Sequence, residues 1–547
     1  MNRRILLALV ISIVMAVTLC GASKKFYDDD PIQREPETRD AAAATKWKID
    51  LTWDLAYNLF ARPGDSTEKV RAQNINTIDE VPDSSWFTNR ILARRVSIEE
   101  AVQGPQIPGG GPAPPPWTIY RPKDEGTAPG FTMRDSKGVD WFVSFDAKGF
   151  PEAATGCIMV ANKIFWTLGY WQVENHLIAI SPDNLKIAST AMINLKNGKK
   201  RAMRQSDLDD VFRKSQPSSD GTYRAVAGKG LPGKILNGFR YLGTRPDDPN
   251  DVVPHENRRE LRALKVFGAW TNLVDMKAGN TIDTVVPEDG KEIVRHYLQD
   301  VGSTFGTGAL LPREYDEGSE FLFEGSTLVK RLVTFGFYLR PWQTVHYQEY
   351  PSIGRFEAEA FDPAEWKPRV PTAAFLQARP DDNFWAARRV VAFSNDMIHS
   401  IVEAPGIYSD TAAKKLLVDT LIARRNKIAT SYLPAVNPLV SFALDNSGTL
   451  TFVNAAVEAG VAAKPAGGYS AAWGIFDNTT GQTQALGAPV SSPENRMQAP
   501  AELPLQDGRF VHVQIKAVNP PNSSWEVPIH VYFKRVTGNW KLVGLER

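Results

Sequence analysis

The sequence predicts an α+β protein whose texture changes along the chain. Residues 126–240 hold short alternating segments around one apolar helix, residues 241–435 are dominated by helical spacing, and residues 436–547 return to period-two alternation. That last stretch reads as an antiparallel β-sandwich. A length of 547 residues corresponds to about three to four domains of ordinary size, and 43% hydrophobic content is ample for packed cores.

The chain opens with Arg3 and Arg4, an apolar run from Ile5 to Leu19, and then Cys20-Gly-Ala-Ser. A basic start, apolar middle and small exit make a secretory signal, here residues 1–22. The run is short of the roughly 20 residues a spanning helix needs. Val17-Thr-Leu-Cys20 also fits a lipoprotein signal in which Cys20 carries the lipid, although Leu19 stands where a small residue is usual. Cleavage after Ala22 and an uncleaved anchor are the other two readings. The expectation is an exported protein of the bacterial envelope, membrane-tethered through Cys20.

Residues 23–125 read as a polar tether, to about Thr45, followed by an extension packed on the body. Trp53, Leu55, Tyr57, Phe60, Trp86 and Phe87 supply its apolar contacts. Gln103 to Pro116, with Gly109-Gly-Gly111 and Pro114-Pro-Pro116, is a loop. Gly130 to Asp146 then alternates as a hairpin turning at Asp135-Ser-Lys-Gly138. A helix from Thr155 to Leu168 ends at Gly169, and strands surround Leu185 to Ile193 and Tyr223 to Ala227. In the helix-rich part, Leu261, Leu264, Phe267, Trp270 and Val274 recur at three and four, predicting a helix over Glu256–Leu273. Arg258, Arg259, Arg262 and Lys265 are expected to face water there. Phe384 to Val402 and Thr411 to Tyr432 are the clearest further helices. The sandwich strands are Leu439–Ala443, Ser470–Phe476, Phe510–Ala517 and Pro528–Arg535, with Thr537-Gly-Asn539 turning into Trp540–Leu545.

Chemistry concentrates after the Glu256–Leu273 helix. Asp275, Lys277 and Asn280 fall in Val274-Asp-Met-Lys-Ala-Gly-Asn-Thr281, a hairpin spans Thr281 to Gln299, and Asp300-Val-Gly302 follows. Helix, loop, hairpin and D-x-G is the order in which kinase-like folds assemble a phosphoryl-transfer site. In that reading Asp275 orients the acceptor hydroxyl and Lys277 neutralises the moving phosphate, the two catalytic residues. Asn280 and Asp300 hold Mg²⁺ or Mn²⁺, and Gly302 and Lys148 lie toward ATP. The bland alternative is a helix running into an ordinary hairpin with solvated carboxylates.

Other chemistries are poorly served. Gly228-Lys-Gly-Leu-Pro-Gly-Lys-Ile235 approaches a phosphate-cradling loop, but Ile235 replaces the metal-binding hydroxyl and Pro232 removes an amide donor. It reads as a connector between lobes. No H-x-x-x-H pair or G-x-S-x-G elbow occurs, and Cys157 sits in an apolar helix as a buried thiol. A formal charge of +1 provides no broad field for nucleic acid or an anionic membrane.

Five segments carry a resemblance: Ile78–Asn89, Pro151–Gly156, Gly169-Tyr170 with Glu174-Asn175, Tyr241–Pro249, and Asp275–Asp300. Together they resemble a group of uncharacterised exported bacterial proteins similar to the kinase-like superfamily, beside lipid kinases and toxin-type or spore-coat kinases. The resemblance covers roughly residues 26–440. It implies a kinase-like two-lobe fold, with 126–240 as the smaller lobe and 241–435 as the helical lobe. Against the family pattern, Ser144 stands where a strand Lys grips the phosphates, and Ile158 replaces the helix carboxylate that pairs with it. Removing one half of such a pair leaves an uncompensated charge at a cost of about 3–5 kcal/mol, so the two losses belong together. Lys148 and Lys163 are the substitutes in view. The resemblance therefore implies weak or lost phosphotransfer, or a pseudokinase scaffold that meets an envelope protein. The acceptor, protein or small molecule, stays open.

Overall fold

The computed structural model describes residues 24–65, 68–123, 128–195, 199–308 and 311–547; the signal segment with Cys20 lies outside them. The chain is mixed α+β and forms two compact units. The larger holds residues 34–74 and 81–433, and the smaller holds 24–33, 75–80 and 434–547.

The larger unit begins with α1 (Leu51–Ala56) and α2 (Ile98–Gln103), the latter closed by a capping box of Ser97 and Glu100. A six-stranded sheet follows, in the order β4-β8-β3-β2-β1-β5. Its strands are β1 (Trp117–Pro122), β2 (Gly130–Arg134), β3 (Asp140–Phe145), β4 (Asn175–Ile180), β5 (Leu185–Ile187) and β8 (Tyr223–Lys229). A separate small hairpin pairs β6 (Met192–Asn194) with β7 (Lys200–Ala202). The β2–β3 turn forms because Asp135 accepts from the Lys137 and Val139 amides with one oxygen. Its other oxygen takes the Ala113 amide and the Trp141 indole. Trp141, Val143 and Phe145 point to one side of β3 and bury with Trp117, Ile119, Phe131 and Met133. Strand alternation then leaves Ser144 on the opposite face.

Helix α3 (Ala153–Leu168) crosses behind that face, and α4 (Gln205–Lys214) precedes β8. The start of α3 is held by the buried Asp146 carboxylate, which accepts from the amides of Glu152 and Thr155 and from the Thr155 hydroxyl. Its end requires Gly169: φ is 130°, and a Cβ there would lie 2.3 Å from the Phe87 ring.

The expected Glu256–Leu273 helix divides into α5 (Arg259–Arg262) and α6 (Leu264–Thr271), and Asn272 closes it in the left-handed region at φ 57°. The exposure expected of its arginines is corrected: Arg258, Arg259 and Arg262 are fully buried. Arg259 pairs with Asp381 and Asp382 at 3.1 and 3.0 Å, and Arg262 with Asp382 at 3.1 Å. Arg258 meets Glu35 at 3.1 Å and stacks over Trp86. The compensating carboxylates come from segments remote in sequence, so local spacing gave no sign of them.

The hairpin after α6 pairs β10 (Ile282–Glu288) with β11 (Lys291–Tyr297) through an Asp289-Gly290 turn in which both residues have positive φ; β9 (Lys234–Ile235) joins its edge. Further helices are α7 (Gly325–Val333), α8 (Ala373–Gln377), α9 (Pro380–Val391), α10 (Asn395–Val402) and α11 (Thr411–Tyr432). The single helix expected over 384–402 breaks at Ser394, whose hydroxyl caps α10.

In the smaller unit, β12 (Leu439–Leu444), β13 (Thr449–Asn454) and β17 (Arg496–Gln498) form a three-stranded antiparallel sheet. A six-stranded antiparallel one joins β14 (Tyr469–Phe476), β15 (Thr483–Ala485), β16 (Val490–Ser492), β18 (Phe510–Ala517), β19 (Ile529–Val536) and β20 (Asn539–Glu546). A short α12 (Ala455–Glu458) links them. Residues 24–33 belong here, where Phe26 packs on Phe476, Phe510 and Tyr532; the rest of the stretch read as a tether is held in the larger unit, with the Ala41 amide donating to Glu292 and the Thr45 amide to Asp247.

Candidate functional site

The loop after α6 is stitched to the segment after β11. The Val274 amide donates to the Ser303 carbonyl at 3.3 Å, the Phe305 amide to Thr271 at 2.8 Å, and the Asp300 amide to Asn280 at 3.1 Å. Asp275 and Asp300, separated in sequence by a whole hairpin, are thereby carried on paired backbone. The Asn280 side-chain amide donates to the Asp275 carbonyl at 2.7 Å, which fixes the loop and turns the amide oxygen away from that carbonyl. Lys277 Nζ reaches Asp275 Oδ2 at 2.9 Å, with both side chains partly open to solvent. The nearby Tyr241 phenol is buried, and its pKa is raised by burial and then by the charges of Asp275 and Asp54.

Asp300 is exposed, and one of its oxygens accepts the Gly302 amide at 3.0 Å. Gly302 sits against α3: a Cβ on it would stand 3.1 Å from Ile158 Cγ1 and 3.2 Å from Asp300 Oδ1. One residue earlier on the helix, the buried Cys157 thiol contacts the Gly302 carbonyl at 3.2 Å and the Thr304 hydroxyl at 3.0 Å. Burial pushes that thiol up to about 11, which leaves it protonated and chemically quiet.

Sequence reasoning missed the cation of this cluster. Lys123, just past β1, extends Nζ to within 3.2 Å of Ser144 Oγ. Its stem crosses Gly130, where a Cβ would lie 3.2 Å from Lys123 Cδ and 2.2 Å from the Val143 carbonyl. The residue as a whole is exposed, yet its ammonium is enclosed enough that desolvation lowers its pKa, while the charge of Asp300 opposes that fall. The only sequence signal was the pairing of β1, β2 and β3, which sets the end of β1 near Ser144. The two substitutes expected from sequence lie elsewhere. Lys148 is exposed on the turn after β3, with its main chain bonded to Lys214, and among the described residues no contact joins its side chain to Ser144, Asp300 or Gly302. The Lys163 ammonium is spent on the Val102 and Gln103 carbonyls and on Gln106.

The cluster thus contains a cation at Lys123, carboxylates at Asp275 and Asp300, and an oriented amide at Asn280. One carboxylate and one amide oxygen suit a small hard cation that completes its shell with phosphate oxygens and water. Among the described residues no set of three or more His, Cys, Asp or Glu side chains is arranged to hold a metal unaided.

No family model matches the chain, and no curated protein is similar enough to align with it. Among solved structures, a crystal structure of the Golgi casein kinase matches with 10% identity and a TM-score of 0.26. The match covers 73% of this chain and 94% of that one. The crystal structure of the Golgi casein kinase with Mn/ADP bound gives the same identity and TM-score, covering 73% and 95%.

Proposed function

We propose that this protein is kinase-like, binding a nucleoside triphosphate with Mg²⁺ or Mn²⁺ in a cleft between a smaller lobe, 126–240, and a helical lobe, 241–435, with weak or lost phosphotransferase activity. One observation carries the reading: the Asp275–Asn280 loop and the Asp300–Gly302 segment are joined backbone to backbone, while Lys123 Nζ stands 3.2 Å from Ser144 Oγ, the position of the missing strand lysine. Lys123 takes the phosphate-gripping role that Ser144 cannot fill, reaching across β2 from the end of β1. Asp275 accepts the hydrogen bond of an acceptor hydroxyl, and Lys277, 2.9 Å from Oδ2, orients that carboxylate. Asn280 and Asp300 would hold the metal, which when bound neutralises phosphate charge. The nucleotide assignment of Lys148 is transferred to Lys123, whereas Gly302 keeps its place beside the phosphates.

Ile158 supports the attenuated activity. Without a carboxylate on α3, Lys123 lacks the charged partner that orients the gripping lysine of kinase-like folds, and losing one preorganised electrostatic contact typically costs about 10²–10³ in rate. The same observation favours the second reading, a pseudokinase scaffold of the bacterial envelope. The C-terminal sheets, read as a β-sandwich, would then meet a partner protein. Export and tethering through Cys20 complete the proposal and rest on the sequence of residues 1–22.

The test is thermal stability with ATP or ADP in the presence and absence of Mn²⁺, followed by phosphate transfer to generic acceptors. A metal-dependent shift that Asp300→Asn abolishes supports the cleft. Transfer that Asp275→Asn removes while the shift persists establishes an enzyme, and a shift without transfer establishes a binding cleft whose catalysis is lost. No shift with any nucleotide overturns the reading.

A further inference from the structure

The residues after the D-x-G segment make an apolar surface that no part of the described protein covers. In α7, Leu328 and Val329 recur one turn later as Leu332 and Val333, forming one apolar side. Leu332 and Val333 are 68% and 72% exposed. Beyond the helix, Phe335 and Phe337 are 91% and 86% exposed, and Leu339 is 71% exposed. Aromatic rings left this open are costly in water, and apolar patches of this kind mark interaction sites.

The presentation is built, not frayed. Gly336, at φ 87°, closes α7 by donating its amide to the Arg331 carbonyl at 2.8 Å, and Phe337 donates to Thr334 at 2.9 Å. The Thr334 hydroxyl bonds back to Lys330 and accepts the Tyr338 amide. The two rings therefore flank a hydrogen-bonded helix end. At the base, Phe323 packs on the exposed Phe60 at 5.0 Å, extending the apolar surface onto the segment that follows α1.

Charge chooses the occupant. Glu320 is paired with Arg340 at 2.8 Å and Glu324 with Lys367 at 2.7 Å. Among the described residues no carboxylate pairs with Lys330 or Arg331, which sit within the apolar helix itself. A second copy of this chain would set those cations against their like. An anionic bilayer offers acyl chains for the rings and phosphates for the cations. A helix from Gly325 to Val333 is far too short to span, so it would lie in the interface.

We propose that residues 322–339 are an interfacial membrane-docking element, with Phe335 and Phe337 inserted among acyl chains and Lys330 and Arg331 at anionic headgroups. This contact is separate from any N-terminal tether and does not depend on the kinase-like reading. The test is amide hydrogen exchange on the full chain, with phosphatidylglycerol-containing or pure phosphatidylcholine vesicles. Any tether acts equally in every arm, so local protection reports the element alone. Exchange across 328–339 should slow by about tenfold or more on anionic vesicles. It should slow less on neutral ones or in Lys330→Ser/Arg331→Ser. Phe335→Ser/Phe337→Ser, both at exposed positions, should lose the protection while exchange elsewhere is unchanged. Unprotected amides on anionic vesicles would overturn the proposal. So would protection without vesicles that grows with protein concentration, which would identify a second copy as the occupant.

Discussion

Lys123→Met separates the stability of the cleft from its use. Burial lowers the Lys123 pKa, so the fold disfavours the charged ammonium. A lysine whose pKa falls on folding opposes stability while charged, and stability rises with pH through the interval between its folded and unfolded values. Removing the charge should leave the unliganded melting temperature unchanged or slightly higher. Binding should behave oppositely. Nucleotide at a hundred times its dissociation constant stabilises by about 2.7 kcal/mol. For a unit of roughly 400 residues, with an unfolding entropy near 2.1 cal/mol/K per residue, that is a shift of about 3 °C. A cation about 4 Å from a phosphate charge contributes up to about 4 kcal/mol at an effective dielectric of 20. A hundredfold loss of affinity is thus a modest expectation for the variant, and at the same nucleotide concentration its stabilisation falls to about 0.4 kcal/mol, a shift near 0.5 °C. Differential scanning fluorimetry with Mn²⁺ and ATP measures both quantities. If Lys123→Met keeps the full nucleotide shift while Asp300→Asn loses it, the assignment of Lys123 is refuted.

Three further outcomes follow from the same contacts. Gly130→Ala drives a methyl into the Val143 carbonyl and against the Lys123 stem; it should cost about 1–3 kcal/mol in urea unfolding and weaken the nucleotide shift. Asn280→Ala deletes the bond to the Asp275 carbonyl and should cost about 1 kcal/mol, while isothermal titration should show metal-dependent nucleotide binding lost. The buried network under Trp86 should confine stability from both sides in pH. Burial pushes Asp251 up, but His255, Arg258 and His296 outweigh it and hold Asp251 at about 2. Its contribution is therefore present above its unfolded value and lost as pH falls toward 2. Burial likewise opposes charge on His296, yet Asp283, Asp251 and Asp248 raise its pKa. That contribution is full below the ordinary histidine value of about 6.5 and fades as pH rises through the folded one. Trp86 stacks on His296 at 3.5 Å, so tryptophan fluorescence during denaturant unfolding should report both limbs, and His296→Gln should erase the alkaline one.

Much of the framework was legible because local rules decide it. The β2–β3 turn followed from Asp135 and Gly138, the end of α3 from Gly169, and α11 from its unbroken helical spacing over Thr411–Tyr432. The Asp275–Asn280 loop and Asp300 stood out as candidates because a helix end, a hairpin and a D-x-G lie in one continuous stretch. What escaped depends on partners far apart in the chain. The arginines beside α5 have the spacing of a wet helix start, and partners as distant in the chain as Glu35, Asp381 and Asp382 help make their burial tolerable. Phe26 looked incidental in a polar segment because the rings it meets lie beyond residue 470. Lys123 was invisible for a related reason: its place beside Ser144 is set by strand pairing and by the missing Cβ at Gly130.

In the proposed cleft, a gripping lysine at Lys123 rather than at position 144 would change how binding is controlled. In kinase-like folds a strand lysine paired with a helix carboxylate makes nucleotide binding sensitive to the position of that helix. Here Ile158 offers α3 no charge to pair, and α3 is fastened by contacts of another kind. Asp146 holds its first turn, Cys157 meets Thr304, and Ile158 lies against Gly302. Moving α3 away would expose Ile158 and strip a buried carboxylate of its donors, without releasing Lys123 from Ser144. Among the described residues no ion pair joins Lys123 to the helix, which packs instead on the D-x-G segment through Ile158 and Cys157. On the proposed reading, control of the site would therefore fall on the segment after Gly302, where Arg313 and Arg369 hold Glu317 and where the chain goes on to its uncovered apolar helix.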